Sequence, residues 1–307
     1  MTTVVLTGGV GGAKFVLGLQ ASGLAGEVVA IVNTGDDFRH LGLHISPDID
    51  TVLYTLAGRA NRLQGWGRED ESWAFLDAVR SLGGPDWFKL GDGDLALHVM
   101  RTDLLAQGNR LSEITANFAR SWRIETAVLP MSDDSVATQL DTDQGVLEFQ
   151  RYFVEHRCEP RVRAISFAGS ENARPAPGVV DAILSAEAVF IAPSNPYLSI
   201  DPILAIEQIA GALRRTPAPV VAISPIVGGR AVKGPTIKLM AELGIETGNQ
   251  SIASHYEGVI DAMVHDVRDA PPTGLPARAT DTLMQTLDDK IRVAAEATIL
   301  ARSLKAA

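Results

Sequence analysis

Short apolar runs alternate along the chain with longer segments of helical periodicity. Residues 4–7 and 28–32 are runs rich in β-branched residues, and residues 13–21 between them have helical spacing. Apolar runs of this length are typical of strands that are buried on both faces of a parallel sheet. The pattern predicts a strand–helix–strand unit that opens a Rossmann-like, doubly wound α/β fold with a mainly parallel sheet.

The pattern changes between about residue 48 and residue 125. Four segments with helical spacing are joined there by polar, glycine-containing loops: residues 49–57, 72–81, 95–106 and 111–121. Few strand-like runs interrupt them, so the region is predicted to be a mostly helical insertion that covers the sheet.

Strand-like runs return after the insertion, at residues 126–129, 136–140, 146–149, 162–167, 189–192 and 220–223. The second and third are predicted to pair as a hairpin across residues 141–143. The last two continue the main sheet, with an amphipathic helix at 203–214 between them. We therefore expect one nucleotide-binding α/β domain over residues 1–270, followed over 271–307 by a linker and a helix at 280–303.

Composition and charge exclude several classes of protein. Hydrophobic residues make up 46% of the 307 residues, and the formal charge of −10 argues against general binding to nucleic acid, which needs an excess of Lys and Arg. The single cysteine, Cys158, excludes intrachain disulfides and multi-cysteine zinc sites. No apolar run reaches the ~20 residues of a membrane span. The N-terminus lacks the features of a signal peptide, so we expect a cytoplasmic enzyme or binding protein.

Four glycines follow the first strand, in the segment Thr7-Gly8-Gly9-Val10-Gly11-Gly12-Ala13-Lys14. Backbone N–H groups without side chains allow a ligand to approach closely, and the following helix presents the positive end of its dipole. The spacing is neither that of a Walker A loop nor G-x-G-x-x-G. We predict a phosphate cradle at Gly8, Gly9, Gly11, Gly12 and Lys14; the alternative is a tight structural turn.

Four aspartates follow the second strand, within Asn33-Thr34-Gly35-Asp36-Asp37 and Ile45-Ser46-Pro47-Asp48-Ile49-Asp50-Thr51. Carboxylates at the carboxyl edge of a parallel sheet suit Mg²⁺, which binds one or two carboxylates together with phosphate oxygens. We predict Asp36 and Asp50 as catalytic and metal-binding residues, and Asp48 as the N-cap of the next helix. The six histidines show no metal-ligand spacing.

Two further segments contain candidate ligands. In Trp87-Phe88-Lys89-Leu90-Gly91-Asp92-Gly93-Asp94, Trp87 could stack on a planar heterocycle while Lys89 binds an anionic oxygen, although a buried aromatic anchor is an equal alternative. Later strand-end loops contribute Ser194 and Asn195, and Lys233 follows Gly228-Gly229. We predict that these polar side chains bind a nucleotide and its phosphates, with ordinary turns as the alternative.

In order along the chain, these segments resemble the 2-phospho-L-lactate transferase (CofD/FbiA) family of coenzyme F-420 biosynthesis. The resemblance covers roughly residues 3–265 and rests on the glycine segment, both aspartate segments, Trp87-Phe88-Lys89-Leu90-Gly91-Asp92, Ala192-Pro193-Ser194-Asn195-Pro196 and Ser224-Pro225-Ile226-Val227-Gly228-Gly229.

The resemblance implies a Mg²⁺-dependent transferase and a homodimer. A phospholactate-type group (2-phospho-L-lactate, phosphoenolpyruvate or phosphoglycerate) would pass from a guanosine diphosphate-linked donor to the ribityl hydroxyl of the deazaflavin Fo, with release of GMP. The family's Fo contacts correspond to Asp50 and Lys89, and its nucleotide contacts to the glycine segment and Ser194-Asn195. Gly93 stands where the family usually has Arg, which implies altered handling of the donor.

Two other classes of function compete with this one. A nucleotide-sugar-binding regulator of similar fold would use the same cleft, but it would not need the aromatic segment around Trp87. An NAD-dependent oxidoreductase conflicts with the glycine spacing, and the acid expected to bind ribose lies in a double-aspartate turn. Binding of Fo distinguishes the transferase from both.

Overall fold

A parallel sheet forms the centre of the computed structural model, which describes residues 2–61, 64–232 and 234–305. Strands and helices are numbered in chain order; β11 (Ile226–Val227) and β12 (Arg230–Ala231) form a separate antiparallel pair. The strands of this sheet are β1 (Thr2–Thr7), β2 (Glu27–Val32), β5 (Ala127–Pro130), β9 (Ala188–Ile191), β10 (Val220–Ile223), β13 (Ala262–Asp266) and β14 (Ala277–Thr280). Their order is β14-β13-β10-β9-β1-β2-β5. The chain builds outward from β1 in one direction and then in the other, which confirms the doubly wound α/β fold.

Helices cover both faces of this sheet. They are α1 (Gly9–Ser22), α2 (Pro47–Leu56), α3 (Ala74–Ser81), α4 (Asp92–Ala106), α5 (Leu111–Ser121), α6 (Val179–Leu184), α7 (Asp201–Leu204), α8 (Glu207–Arg215), α9 (Thr236–Glu242), α10 (Asn249–His255) and α11 (Leu287–Lys305), with π-helical turns at Arg151–Glu155 and Pro196–Ile200. Within the described ranges, no helix has the length and apolar character needed to cross a bilayer.

The alternation of side chains along β1 divides the interior into two hydrophobic cores. Val4 and Leu6 face one core, and Val5 faces the other. Phe15 of α1 and Phe190 of β9 meet edge to face in the second core, with ring centroids 5.6 Å apart. Because both faces of the sheet are buried, the central parts of β1, β2, β9 and β10 are apolar on both faces, which explains the uninterrupted apolar runs in the sequence.

The predicted insertion is helical, and it contains α2, α3, α4 and α5. A short antiparallel hairpin of β3 (Phe38–His40) and β4 (Leu43–Ile45) precedes it and was not predicted. Pro47 is the first residue of α2, a position that needs no backbone donor. The hairpin therefore lies between the carboxyl end of β2 and the first helix of the insertion.

The region after β5 differs in detail from the prediction. The hairpin is present as β6 (Ala137–Thr142) and β7 (Gly145–Glu148), but its turn lies two residues later than predicted. β8 (Val162–Ala168) pairs with the other edge of β6 and completes a separate antiparallel sheet. The helix predicted over 203–214 is broken at Ile206, whose backbone is extended and whose side chain is fully buried.

The C-terminal segment is part of the main fold. The linker expected after residue 270 contains β14, which pairs with β13 in parallel, and the last helix begins at Leu287 rather than at residue 280. Helix α11 packs against α1, with Val293 and Ala297 fully buried in the second core. A short strand followed by polar residues carries little periodicity, so the sequence pattern did not reveal it.

Contact between α1 and α11 leads to a prediction for Gly18. A Cβ atom at Gly18 would overlap the backbone carbonyl of Lys290, which is not free to rotate away. We expect Gly18→Ala to lower the Tm, although alanine favours a helix over glycine by about 1 kcal/mol. Thermal unfolding of the variant measures this effect.

Gly211 in α8 provides the matched control. A Cβ there meets only side-chain atoms at 3.9 Å, an ordinary contact distance. Gly211→Ala should therefore keep the gain in helix propensity and leave the Tm unchanged or higher. Equal effects of the two substitutions would contradict the packing described here.

Candidate active site

A cavity of about 820 Å³ lies at the carboxyl edge of the central sheet. The cavity opens above the carboxyl ends of β1 and β9, which are neighbours in the sheet. After β1 the chain continues to β2 on one side, and after β9 it continues to β10 on the other side. Loops that diverge at such a switch point leave a crevice between them, where ligands of this fold class bind. The volume is in the range of pockets that hold a small-molecule ligand.

The four predicted glycines lie in the first turn of α1 and beside it, not in an open loop. Gly8, Gly9 and Gly11 line the cavity. Gly12 is buried, and a Cβ there would overlap the Thr7 hydroxyl and lie 2.6 Å from the Ser194 hydroxyl. The glycines thus serve close packing of α1 against the neighbouring strand ends as well as access to the cavity.

The loop after β9 supports this glycine segment. The Ser194 hydroxyl donates to the Gly8 carbonyl at 2.8 Å and accepts from the Gly8 N–H at 3.2 Å. The Asn195 Oδ1 accepts the N–H groups of Tyr197 and Leu198, while its buried Nδ2 has no hydrogen-bond partner among the described residues. Both predicted residues line the cavity, and the amide of Asn195 is available to a ligand.

The two lysines that were predicted to bind phosphate, Lys14 and Lys233, have different outcomes. Lys14 lines the cavity, and its Nζ donates to the Met284 carbonyl at 2.8 Å. The C-terminal segment that precedes α11 therefore forms one wall of the site. Lys233 lies outside the described residues.

A buried group of carboxylates lies at the N-terminus of α1. Asp48 accepts the Gly9 N–H at 2.7 Å and an amide N–H of Asn33 at 3.0 Å. The prediction that Asp48 is the N-cap of α2 is wrong: it lies inside the first turn of α2 and caps α1 instead. Burial raises its pKa to about 6, in opposition to those two hydrogen bonds.

Asp36 lies beside Asp48 and is also buried. Burial, followed by the charge of Asp48, raises the pKa of Asp36 well above its ordinary value. Its Oδ1 is buried without a hydrogen-bond partner among the described residues. An unpartnered carboxylate oxygen facing a ligand cavity is a strong candidate for a cation ligand or a hydroxyl acceptor.

Asp50 lies in a different electrostatic environment within the same cavity. Its carboxylate accepts hydrogen bonds from both Nη atoms of the fully buried Arg101, and its Oδ2 is 3.7 Å from His98 Nδ1. His98 Nε2 is 3.2 Å from Asp94, which also accepts the Tyr54 hydroxyl. Asp36 therefore has no cationic side chain paired with it among the described residues, whereas Asp50 is paired with the guanidinium of Arg101.

Sequence reasoning missed Asp94, His98 and Arg101. These residues follow one face of α4 at spacings of four and three, which places them in a row toward α2. Asp50, Asp94 and His98 each direct a ligand atom to within 4.8 Å of the others, so they could hold a metal ion. The spacing of the histidines along the sequence does not reveal this cluster, because Asp50 comes from α2 whereas Asp94 and His98 come from α4.

The predicted aromatic segment also lines the cavity. Trp87, Phe88 and Lys89 all face it. Trp87 also contacts His40, with centroids 5.1 Å apart, and the guanidinium of Arg151 lies 4.4 Å from its ring centroid. The two alternatives for this segment therefore coexist, since its rings pack together and still present a surface to a ligand.

The cavity is thus lined both by the buried carboxylates beside α1 and by the aromatic side chains around Trp87. Over residues 3–303, the chain matches the family model of 2-phospho-L-lactate transferase CofD. The chain belongs to this family. Membership makes it a transferase of coenzyme F-420 biosynthesis and confirms the resemblance noted from the motifs.

Similar proteins extend over the whole length of the chain. Two of them, from Streptomyces griseus subsp. griseus and Streptomyces coelicolor, are named phosphoenolpyruvate transferase; they are 40% and 39% identical to this chain, with 100% of each chain covered. Two crystal structures of protein BH3568 from Bacillus halodurans have TM-scores of 0.67 and 0.65, cover 97% of this chain and 98% of their own, and are 16% identical. At that identity the similarity concerns the fold alone.

The two carboxylate environments predict opposite effects on stability. Because burial raises the pKa of Asp36 in the folded state, this carboxyl group costs stability at every pH above its ordinary pKa of about 3.9, so Asp36→Asn should raise the Tm at pH 8 in the absence of metal. The gain should shrink as the pH falls toward the ordinary value of about 3.9, because the unfolded carboxyl then becomes protonated as well. Thermal unfolding between pH 5 and pH 8 tests this.

Asp50→Asn should lower the Tm instead. The substitution leaves the guanidinium of Arg101 buried without its counter-ion, which typically costs about 3–5 kcal/mol. The two isosteric variants control for each other, because both remove one negative charge from the same cavity. A shift of the same sign in both would contradict the distinction between the two sites.

Proposed function

We propose that this protein transfers phosphoenolpyruvate from a guanosine diphosphate-linked donor to the ribityl hydroxyl of Fo and releases GMP. The observation that carries the proposal is one cavity lined both by buried carboxylates beside the N-terminus of α1 and by aromatic side chains. A nucleotide diphosphate suits the N-terminus of α1, and a planar deazaflavin suits the aromatic side chains. Among the three donors that the family resemblance leaves open, the names of the Streptomyces relatives favour phosphoenolpyruvate.

The reaction requires alignment and neutralisation of charge. The hydroxyl oxygen of Fo forms a bond to the phosphorus atom that carries the enolpyruvyl group, the bond from that phosphorus to the GMP oxygen breaks, and the hydroxyl proton is released. Such phosphoryl transfers depend mainly on positioning and electrostatic stabilisation. In this proposal Asp50, held in place by Arg101, orients the attacking hydroxyl.

At the nucleotide end, the N–H groups of the first turn of α1 would bind a phosphate. Helical geometry leaves the first N–H groups without partners inside the helix, and Asp48 uses only that of Gly9. Lys14 and the amide of Asn195 would contribute further donors, and Ser194 would keep the glycine segment in place. Lys233 remains part of the proposal as a second phosphate-binding cation.

The buried aspartates would repel a diphosphate unless a cation lies between them. The unpartnered oxygen of Asp36 fits this requirement, and oxygen ligands from one or two carboxylates are what Mg²⁺ takes in such sites. We propose that Asp36 and Asp50 hold Mg²⁺, with Asp36 the principal ligand because Arg101 already shares the charge of Asp50. When bound, the ion supplies positive charge to the phosphate oxygens.

A turnover assay tests the reaction directly. Purified protein is mixed with Mg²⁺, Fo and one of three guanosine diphosphate-linked donors, which carry enolpyruvyl, lactyl or glyceryl groups, and GMP and the product are followed by mass. We expect product with the enolpyruvyl donor, no product after treatment with EDTA, and recovery on adding Mg²⁺. Binding of a guanine nucleotide with no binding of Fo and no product would instead favour a nucleotide-binding regulator.

Lys89 provides a test of the acceptor end. Its exposed side chain faces the cavity, so its removal should leave the fold intact. Loss of one charge-assisted hydrogen bond, about 1.5–3 kcal/mol, should raise the KM for Fo by ~10–100-fold in Lys89→Ala. Lys305→Ala, in the last turn of α11, is the control and should retain the wild-type KM.

The family resemblance also implies a homodimer, which we include in the proposal together with a cytoplasmic location. Sedimentation velocity at several protein concentrations measures the assembly. A monomer throughout the concentration range would remove this part and leave the reaction unaffected.

A further inference from the structure

A short loop projects Trp66 into the cavity from the helical insertion. The loop is closed by its own backbone: Ala60 and Arg68 form an antiparallel bridge, and the Asn61 N–H donates to the Gly67 carbonyl at 3.0 Å. Gly65 and Gly67, on either side of Trp66, both have a φ of +70°. The tryptophan therefore stands at the tip of a tight turn whose sharp backbone depends on glycine.

Trp66 differs from the other cavity tryptophan in its surroundings. Trp87 is packed among rings and beneath Arg151, whereas no ring or guanidinium stacks on Trp66 among the residues that the structure describes. Trp66 lines the cavity and is 47% exposed. A large aromatic surface that is open to a ligand pocket is suited to stacking on a planar ligand.

The base of this loop is fixed to the start of α4. Arg68 pairs with Glu71 at 3.4 Å, and the nearly buried Glu71 accepts the Gly93 N–H at 2.7 Å. A Cβ atom at residue 93 would overlap Nη1 of Arg68, so glycine at this position provides the space that the guanidinium occupies. The Gly93 that departs from the family pattern is thus a packing site for Arg68.

We propose that Trp66 binds the planar ring system of the acceptor and that Gly93, through Arg68, sets the position of Trp66. The inference rests on the proposed function for the identity of the acceptor. Gly93 acts as a positioning residue. Glycine in place of the family's usual arginine therefore affects binding of the acceptor rather than binding of the donor.

Calorimetric titration of the full chain with Fo tests the role of Trp66. We expect Trp66→Ala to raise the Kd for Fo by at least tenfold, Trp66→Phe to restore most of the affinity, and the Kd for GMP to remain unchanged in both. Trp73→Ala is the matched control, because Trp73 precedes α3 and is not among the residues lining the cavity. An unchanged Kd for Fo in Trp66→Ala, or equal losses in both alanine variants, overturns the inference.

Riboflavin serves as a second planar probe, which separates this inference from the proposed function. If the wild-type chain binds riboflavin but not Fo, and Trp66→Ala weakens that binding, the proposed acceptor is wrong and the role of Trp66 stands. If the wild-type chain binds neither compound, both are overturned.

A double-mutant cycle tests the part assigned to Gly93. Gly93→Ala should displace the guanidinium of Arg68 and raise the Kd for Fo without lowering the Tm, since alanine is the better helix former. Arg68→Ala removes the same contact, so the double variant should bind Fo no more weakly than the weaker single variant. Fully additive losses, or an unchanged Kd in Gly93→Ala, overturn this assignment.

Discussion

The hydrogen bond from the Gly9 N–H to the carboxylate of Asp48 connects the α/β core to the helical insertion. Gly9 begins the first helix of the α/β core, and Asp48 belongs to the first helix of the insertion. A carboxylate at a helix N-terminus is stabilised by the helix dipole and by the backbone donor. The same contact places a carboxylate where a nucleotide phosphate is expected to approach. One interaction therefore fixes α2 against the start of α1 and contributes a carboxylate to the site.

From that contact the cavity divides into two electrostatic environments. Around Asp36 and Asp48, burial opposes ionisation and no cationic side chain forms an ion pair with either group among the described residues. Around Asp50, the guanidinium of Arg101 stabilises the charged carboxylate. Such a site can accept a cation at Asp36, which has no cationic partner among the described residues, while Arg101 keeps Asp50 in place to contact a neutral hydroxyl group.

Sequence patterns predicted the parts of this molecule that depend on local physics. Fully buried strands, the helices of the insertion and the glycine segment follow from apolar runs, helical periodicity and backbone freedom. The strand β14 and the break at Ile206 were missed because both depend on tertiary contacts that leave no periodic signal. Asp36, Lys89 and Ser194 were predicted as site residues because they follow strands or aromatic runs, and all three line the cavity. The place of Arg101 beside Asp50 depends on the packing of α4 near α2, which the sequence pattern does not show.

The hydrogen bond from Lys14 to Met284 spans 270 residues of sequence. Contacts of such separation carry a large entropy of loop closure and form late in folding. Strand β1 and helix α1 can form early, but the wall that Met284 contributes requires a segment synthesised long afterwards. During synthesis the face of α1 that α11 later covers stays exposed until the C-terminal segment emerges, and exposed apolar surface of this kind is prone to aggregation.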